Sequence, residues 1–324
     1  MVRILSDADV DALLDLGDLL DVVETAFRKQ AAGAVERPPR PHFPVGTGLD
    51  ADAPEDPLGT GLTMPAYLHG DDTYATKLAS VHEGNADRGL PTVNAQIAVT
   101  DAATGQPVAY MAGTRVTNAR TGCIGGNAVR HLTEGPVSLA VFGAGTQARW
   151  QTRAIAAATD IDSVAVYSPS DSREACAADL GDELDASVRA ADSPADALSG
   201  ASVVVTATTS TEPVLDAADL ADGTLVVAVG AYTSEMCELD AETVARAGRI
   251  YADVPEEAVE TGDLQNRVSA DDCRPLAAAF DDQPVGADEV VVVESVGSAV
   301  LDAATAGWLV ERAAENGVGE AVSL

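Results

Sequence analysis

Lysine is almost absent from this 324-residue chain, in which 52 acidic residues stand against 19 basic ones for a formal net charge of −33. Only Lys29 and Lys77 are lysines, and every other cation is an arginine. An acidic excess of this size repels nucleic acid phosphates and anionic lipid headgroups, so we expect neither nucleic acid nor a membrane as a partner. The lysine-poor acidic composition favours a salt-adapted, halophilic protein over an ordinary acidic enzyme.

Paired cysteines, a signal sequence and long apolar runs are also missing. The cysteines lie far apart and never form a C-x-x-C pair, and the histidines show no metal-ligand spacing, so we expect no disulfide framework and no bound metal. The first ten residues hold no apolar segment typical of a signal peptide, and no run is long enough to span a bilayer. These absences predict a soluble, cytoplasmic protein.

The predicted elements change character along the chain. The stretch LSDADVDALLDLGDLLDVVETAFRKQAAG predicts two amphipathic helical segments, with Ser6 as the N-cap. Short strands follow in LTMPAYL, TYATKLASV, TVNAQIAVT and PVAYMAG, which predict a small, largely β domain. From VSLAVF onward, strands alternate with helical segments as far as the strand EVVVVES and a last helix. Alternation of this kind is typical of a doubly wound parallel sheet, so the predicted fold class is α/β.

A glycine-rich turn in VSLAVFGAGTQARWQ lies between an apolar strand and a helix. Gly143 permits a tight turn, Gly145 lets backbone N–H groups approach a pyrophosphate, and Ala148 lets helix and strand pack closely. The pattern alone is a weak signal, but its place between strand and helix favours a dinucleotide site over a plain turn. The predicted cofactor-binding residues of this turn are Gly143, Ala144, Gly145, Thr146 and Gln147.

The next predicted strand, in SVAVYSPSDSR, bears on the choice of cofactor. An NAD site usually offers a carboxylate there for the ribose 2′-OH, whereas this chain has Ser168 and Ser170, with Arg173 nearby. Two hydroxyls and a guanidinium could receive the 2′-phosphate of NADP, or the same residues could simply cap the following helix. We favour NADP over NAD.

Taken together, the motifs resemble the ornithine cyclodeaminase/mu-crystallin family over essentially the whole chain. The resemblance is carried, in order, by ILSDADVDALL, PPRPHFPV, MPAY, TKLAS, NARTG, VFGAGTQA, VVAVGA with ELD, ETGDL and SVGSAVLDAATA. It implies a Rossmann-type dinucleotide-binding domain at residues 120–297. It also implies a substrate-binding and dimerisation domain at residues 1–119 plus 298–324, completed by the C-terminal helix, and a homodimer.

The resemblance also implies a substrate site. Arg40, Lys77 and Arg120 fall where the family binds the substrate carboxylate and transfers protons. Guanidinium groups bind a carboxylate through two parallel hydrogen bonds, and a desolvated lysine near two arginines should have a lowered pKa. A chain that has given up surface lysine would keep Lys77 because arginine cannot exchange protons near neutrality. For Arg40 and Arg120, an ordinary structural ion pair is the alternative.

Tyr232, in VGAYTSEMCELD, stands where cyclodeaminases carry an aspartate for the distal amine of the substrate. A phenol, with a reference pKa of about 10, provides no negative charge near neutral pH, so this tyrosine disfavours ornithine as the substrate. Thr208 and Thr209 follow another predicted strand, where they would contact the nicotinamide ribose or act as turn formers.

The resulting expectation is an NAD(P)-dependent oxidoreductase that acts on an α-amino acid/imino acid pair. Alanine dehydrogenases and imine or ketimine reductases of the family carry out this type of reaction, and Lys77 would be the catalytic residue. One alternative is an ornithine cyclodeaminase in which another residue supplies the missing carboxylate. The other is a non-catalytic protein, similar to mu-crystallin, that binds NADP or a small ligand.

Overall fold

The computed structural model of the chain describes residues 1–323, except for the side chains of residues 86 and 87. Leu324, the last residue of the predicted segment 298–324, lies outside the described residues. By their internal contacts the residues form two compact units. The first unit holds Met1–Asp15, Thr25–Arg120 and the chain from Ala299 onward, and the second holds Leu16–Glu24 and Thr121–Ser298.

Strands and helices are numbered in chain order. The strands are β1 (Val2–Leu5), β2 (Val35–Glu36), β3 (His42–Val45), β4 (Gly59–Leu68), β5 (Thr73–Val81), β6 (Val93–Asp101), β7 (Pro107–Ala112), β8 (Val137–Phe142), β9 (Ile161–Tyr167), β10 (Ser187–Ala190), β11 (Val203–Thr206), β12 (Thr224–Ala228), β13 (Ala247–Ala252), β14 (Arg274–Pro275), β15 (Val290–Glu294) and β16 (Glu320–Val322). The α-helices are α1 (Asp7–Leu13), α2 (Leu16–Ala31), α3 (Gly113–Leu132), α4 (Thr146–Ala158), α5 (Ser172–Glu183), α6 (Pro194–Leu198), α7 (Ala241–Arg246), α8 (Pro255–Ala258) and α9 (Ala299–Asn316).

The first unit is built on a mainly antiparallel sheet in the order β16-β1-β7-β6-β5-β4-β2, with β3 paired to β4. Side chains alternate between the two faces, as the pleat requires: Ala75 and Lys77 of β5 are buried, whereas Tyr74 and Leu78 are exposed. Helix α9 contacts β4, β5 and β6 within this unit. The pleat therefore places Lys77 on the buried face of the sheet.

The start of α1 shows the local chemistry that the sequence predicts. The Ser6 hydroxyl accepts a hydrogen bond from the Asp9 N–H at 3.2 Å, and the Asp9 carboxylate accepts one from the Ser6 N–H at 2.9 Å. This reciprocal capping box satisfies N–H groups that the first turn of a helix cannot pair internally. The prediction of Ser6 as an N-cap is confirmed.

The second unit is built on a parallel sheet in the order β10-β9-β8-β11-β12-β15-β13-β14. From β8 the chain moves outward to β9 and β10, and it then returns to β11 on the other side of β8. The gap between β8 and β11 is a topological switch point, and ligands of such folds bind at the carboxyl ends of the strands there. The predicted α/β class, with a doubly wound parallel sheet and a second, largely β part, is confirmed.

The structure differs from the sequence analysis in several elements. Strands β1 and β10 were not predicted, and α3 is one continuous helix from Gly113 to Leu132. Residues 16–24 belong to the second unit, whereas the sequence analysis placed them in the substrate-binding domain, which includes residues 1–119.

Three further observations concern residues 1–323. None of the helices there is long and apolar enough to cross a membrane. No group of three or more histidine, cysteine or acidic side chains in this range is arranged to hold a metal ion. The cysteines are free thiols, at Cys123, Cys176, Cys237 and Cys273.

Candidate functional site

Lys77 lies in the first unit, on β5, with 3% of its surface exposed. Its Nζ is 2.6 Å from Oδ2 of Asp302, in the first turn of α9, and donates to the Thr117 hydroxyl at 3.4 Å. Lys29, in contrast, is a half-buried residue of α2 that pairs with Asp71. One of the two lysines of the chain is therefore a buried, ion-paired amine.

Arg120 shares the same carboxylate. Its Nε donates to Oδ1 of Asp302 at 3.0 Å, and the residue is only 4% exposed. Arg40, in the segment between β2 and β3, is half-buried, and its charge also acts on Lys77. Of the predicted substrate-binding residues, the structure thus brings Lys77 and Arg120 onto one buried carboxylate, with Arg40 in electrostatic reach of the amine.

Opposing effects set the protonation of this cluster. Burial lowers the pKa of Lys77 from 10.5 to about 8; the Asp302 charge opposes this shift, and the charges of Arg120 and Arg40 add to it. Burial raises the pKa of Asp302, but the charges of Arg120 and Lys77 outweigh burial and leave it below its ordinary value. The cluster therefore holds an ionised carboxylate beside an amine that titrates close to neutral pH.

Asp302 is the residue of this cluster that the sequence analysis missed. It lies in SVGSAVLDAATA, one of the segments that carry the family resemblance, but its role was not recognised. A signal was present, because the aspartate interrupts a buried apolar stretch of Val300, Leu301 and Ala303 in α9. Aspartate is rarely buried unless it is paired, so an aspartate on the apolar face of a helix points to a buried partner.

In the second unit, the glycine turn after β8 has two different requirements for glycine. Gly143 has a φ of +105°, and a Cβ there would lie 2.4 Å from the Ala207 carbonyl oxygen, so the turn itself requires glycine. Gly145 has a φ of −87°, and a Cβ there would meet no protein atom within 4 Å. Packing within the chain does not require Gly145, whereas close approach by a ligand would.

The same turn leads directly into α4. Gly145 is the N-cap of this helix and has no side chain to pair with the first backbone N–H groups. Thr146 and Gln147 begin the helix, and Ala148 is fully buried against the rest of the unit. The positive end of a 13-residue helix whose N-cap is a glycine suits a pyrophosphate, so the residues present fit a dinucleotide cofactor.

A cluster of serine hydroxyls follows β9. Ser168 Oγ lies 3.3 Å from Ser170 Oγ and 3.4 Å from Ser172 Oγ, and Ser170 and Ser172 are 2.7 Å apart. Arg173 donates to the Ser168 carbonyl oxygen at 3.0 Å and pairs with Glu174. The N-cap of α5 is Asp171, so the predicted alternative, in which Ser168 and Ser170 cap this helix, is wrong.

The remaining predicted residues lie in loops at the carboxyl ends of β11 and β12. The Thr208 hydroxyl accepts a hydrogen bond from the Ser210 N–H at 3.2 Å. This local bond is the one expected if Thr208 acts as a turn former, the alternative to a contact with the nicotinamide ribose. Thr209 is exposed. Tyr232, which belongs to the second unit, is 41% exposed. Glu238, in the ELD segment, is a buried residue of this edge that the sequence analysis did not single out.

Comparison with known proteins identifies the family of the chain. Residues 2–317 match the model of the ornithine cyclodeaminase/mu-crystallin family. The alanine dehydrogenase of Archaeoglobus fulgidus is 33% identical to the chain over 331 residues, covering 98% of this chain and 97% of the relative. The resemblance that the sequence analysis found in its motifs is confirmed at the level of the family.

Two solved structures have the same fold over nearly the whole chain. The Thermococcus litoralis Δ1-pyrroline-2-carboxylate reductase in complex with NADH and L-proline superimposes with a TM-score of 0.91, at 28% identity, covering 99% of this chain and 100% of that one. An archaeal alanine dehydrogenase dimer with bound NAD gives a TM-score of 0.88, also at 28% identity, covering 99% of both chains. The chain belongs to the ornithine cyclodeaminase/mu-crystallin family.

Proposed function

We propose that this protein is a nicotinamide-dependent oxidoreductase that acts on an α-amino acid/imino acid pair. The observation that carries the proposal is the buried Lys77 amine, ion-paired to Asp302 beside Arg120 in a chain with almost no lysine. Full-length relatives include an alanine dehydrogenase and a Δ1-pyrroline-2-carboxylate reductase, and solved structures of such enzymes hold NADH or NAD. The fit of the glycine turn to a pyrophosphate supports the same class of cofactor.

Each residue of the Lys77 cluster has a role in this chemistry. Arg120 and Arg40 bind the substrate carboxylate, and Asp302 fixes the guanidinium plane of Arg120 through its Nε. Lys77 gives a proton to, or takes one from, the substrate nitrogen or the attacking water, since its pKa of about 8 lets both of its forms be populated. The bound nicotinamide supplies or accepts the hydride.

A substrate panel tests the proposal directly. The purified protein is assayed in high salt for the absorbance change of the nicotinamide, with pyruvate plus ammonia and with cyclic imino acids such as Δ1-pyrroline-2-carboxylate. We expect turnover with at least one of these substrates. Proline and ammonia produced from ornithine would instead support the cyclodeaminase alternative. Cofactor binding without turnover of any substrate would support the non-catalytic alternative.

Within this function we propose a preference for NADP over NAD. The Ser168, Ser170 and Ser172 hydroxyls and the Arg173 guanidinium lie together at the end of β9, where the adenosine ribose binds in folds of this class. Ser168→Asp would place a carboxylate beside the 2′-position, so it should shift the ratio of kcat/KM values toward NAD by about tenfold. A wild-type protein that already favours NAD would contradict this assignment.

We also propose that the protein is a homodimer, formed through the open face of the sheet in the first unit. Two cross-strand rows of this face are uncharged in a strongly acidic chain. The first row is Ile4, Tyr110, Ala98 and Thr76, and the second is Thr63, Leu78, Gln96 and Ala112. Ile4, Leu78 and Tyr110 are exposed there, and an uncharged apolar patch of this kind suits a second copy. Leu78→Asp should yield monomers in sedimentation, whereas a wild-type monomer would refute the dimer.

The acidic composition supports a further proposal, that the protein is adapted to high salt. A net charge of −33 makes the compact state repel itself, and dense salt screens that repulsion. The melting temperature should therefore rise steeply as KCl increases from millimolar to molar concentrations. A melting temperature that does not depend on salt would show that the charge has another origin.

A further inference from the structure

Glu238 forms an unusual connection between two loops of the second unit. Its side chain is fully buried, and its carboxylate accepts three hydrogen bonds. The Thr208 N–H donates to Oε1 at 2.6 Å, while the Thr206 hydroxyl and the Gly230 N–H donate to Oε2 at 2.9 and 2.8 Å. Thr206 and Thr208 come from the end of β11, and Gly230 follows β12. One carboxylate therefore ties together the carboxyl ends of two neighbouring strands.

Gly230 packs directly against Glu238 and the loop that follows β11, with no room for a side chain. A Cβ on Gly230 would lie 2.3 Å from the Thr208 carbonyl oxygen and 2.5 Å from Oε1 of Glu238. Any larger residue at position 230 would push the two loops apart or displace the Glu238 side chain. Gly230 is thus required by the contact between the two loops rather than by a turn.

A second carboxylate holds Glu238 in place. Oδ1 of Asp263, a fully buried residue, accepts hydrogen bonds from the backbone N–H groups of Glu238 and Leu239 at 2.6 and 2.8 Å. Asp263 fixes the backbone from which the Glu238 side chain extends, so the carboxylate has little freedom to follow either loop alone. The Glu238 backbone is thus held by Asp263, while its carboxylate joins the two loops.

We infer that Glu238 is a positioning residue for the nicotinamide half of the cofactor, because it sets the separation of the loops that follow β11 and β12. The inference rests on the proposed function. In a doubly wound fold the first half of the sheet, here β8 to β10, binds the adenosine side of a dinucleotide, and the second half, which begins with β11 and β12, binds the nicotinamide side. The predicted ribose contacts Thr208 and Thr209 lie in the first of the two loops.

Glu294 provides a matched control. It is an equally buried glutamate at the end of β15, in the same unit. Both of its carboxyl oxygens are without a hydrogen-bond partner among the residues that the structure describes. Glu294→Gln changes a buried carboxyl group of the same unit without removing a bond to either loop.

The experiment compares the binding of two probes to the whole protein by titration calorimetry in high salt. One probe is the reduced dinucleotide that the wild type prefers, and the other is ADP-ribose, which lacks the nicotinamide. In Glu238→Gln an amide NH2 faces a backbone or hydroxyl donor, so at least one of the three hydrogen bonds is lost. We expect about tenfold weaker dinucleotide binding, with ADP-ribose binding unchanged within about twofold.

Two additional variants keep the test decisive. Thr206→Val removes a single donor with little change in shape, so it should weaken the dinucleotide by a smaller factor with the same selectivity, and it alone decides if Glu238→Gln does not fold. Glu294→Gln should bind both probes as the wild type does. Equal weakening of both probes, or no weakening of either, in the Glu238 and Thr206 variants would overturn the inference. A wild type that binds neither probe would instead refute the proposed function.

Discussion

Two buried carboxylates of this chain have opposite protonation behaviour. Asp302, in the first unit, has a pKa below its ordinary value even though burial raises it, because it faces the charges of Arg120 and Lys77. Glu238, in the second unit, has its pKa raised by burial to about 7, although three hydrogen-bond donors point at it. Burial is nearly complete in both cases, so the neighbouring groups make the difference.

The comparison shows how dipoles and full charges differ as partners of a buried carboxylate. Transfer of an ion out of water is costly, and two cations at hydrogen-bond distance offset much more of that cost than backbone and hydroxyl dipoles do. Asp263 also adds negative charge near Glu238. The first unit therefore maintains an ionised group beside a titratable amine, and the second uses a carboxylate to position loops.

The strongest test of this comparison is the replacement of Lys77 by methionine. The variant keeps the length of the side chain but cannot exchange protons, so the turnover should fall about 10³-fold. Lys29→Met is the matched control, because Lys29 pairs with Asp71 on a partly exposed part of the first unit, and it should retain wild-type turnover. Near-normal activity in Lys77→Met would remove this amine from the mechanism.

Asp302→Asn removes the anion while leaving both cations in place. The Asp302 charge raises the pKa of Lys77 against the effect of burial. In the wild type, kcat/KM for amino acid oxidation should rise with pH through about 8, as the Lys77 amine loses its proton. In the variant this inflection should move to lower pH.

The same variant should lose stability. Removal of one partner of a buried ion pair typically lowers the free energy of unfolding by about 3–5 kcal/mol. Denaturant titration of the variant in high salt measures this loss. Arg120→Lys is a useful companion, because it keeps the charge but alters the geometry at Asp302. An unshifted pH profile in Asp302→Asn would mean that Asp302 does not control the amine.

Glu294→Gln tests the second unit and should have the smallest effect. Burial raises the pKa of Glu294 well above its ordinary value of 4.5, so the folded protein keeps a proton that the unfolded chain releases. The resulting stabilisation is complete below the unfolded pKa and is lost as the pH rises through the folded one. The melting temperature of the wild type should fall as the pH rises, and in the variant this fall should be smaller by a few degrees. Identical pH dependence in both proteins would contradict the assignment.

Much of this architecture could be predicted from local patterns. The alternating strands around Lys77 and the apolar strand before Gly143 each have a period or a turn residue that identifies them, so β4 to β8 were found. Strands β1 and β10 have only four residues each, too few to establish a period. Such strands are recognised only once their partners in the sheet are known.

The site was predictable where a residue type was unusual for the chain. Lys77 stood out because lysine is scarce, and the family motif then indicated Arg40 and Arg120. Asp302 and Glu238 were missed because acidic residues are abundant in this sequence. The apolar neighbours of Asp302 indicate burial, but they do not identify its partners. Asp302 lies 225 residues from Lys77 and 182 residues from Arg120 along the chain, so only the tertiary structure reveals the pairing.

The scarcity of lysine has a practical consequence. Lys77 is buried and ion-paired, so Lys29 is the lysine that a reagent in solution would encounter first. Mild acylation, or coupling to an activated resin, would therefore attach a dye or a support to the chain at one known lysine. Crosslinking maps of this protein would be correspondingly sparse, and reagents that target carboxyl groups would give far denser ones.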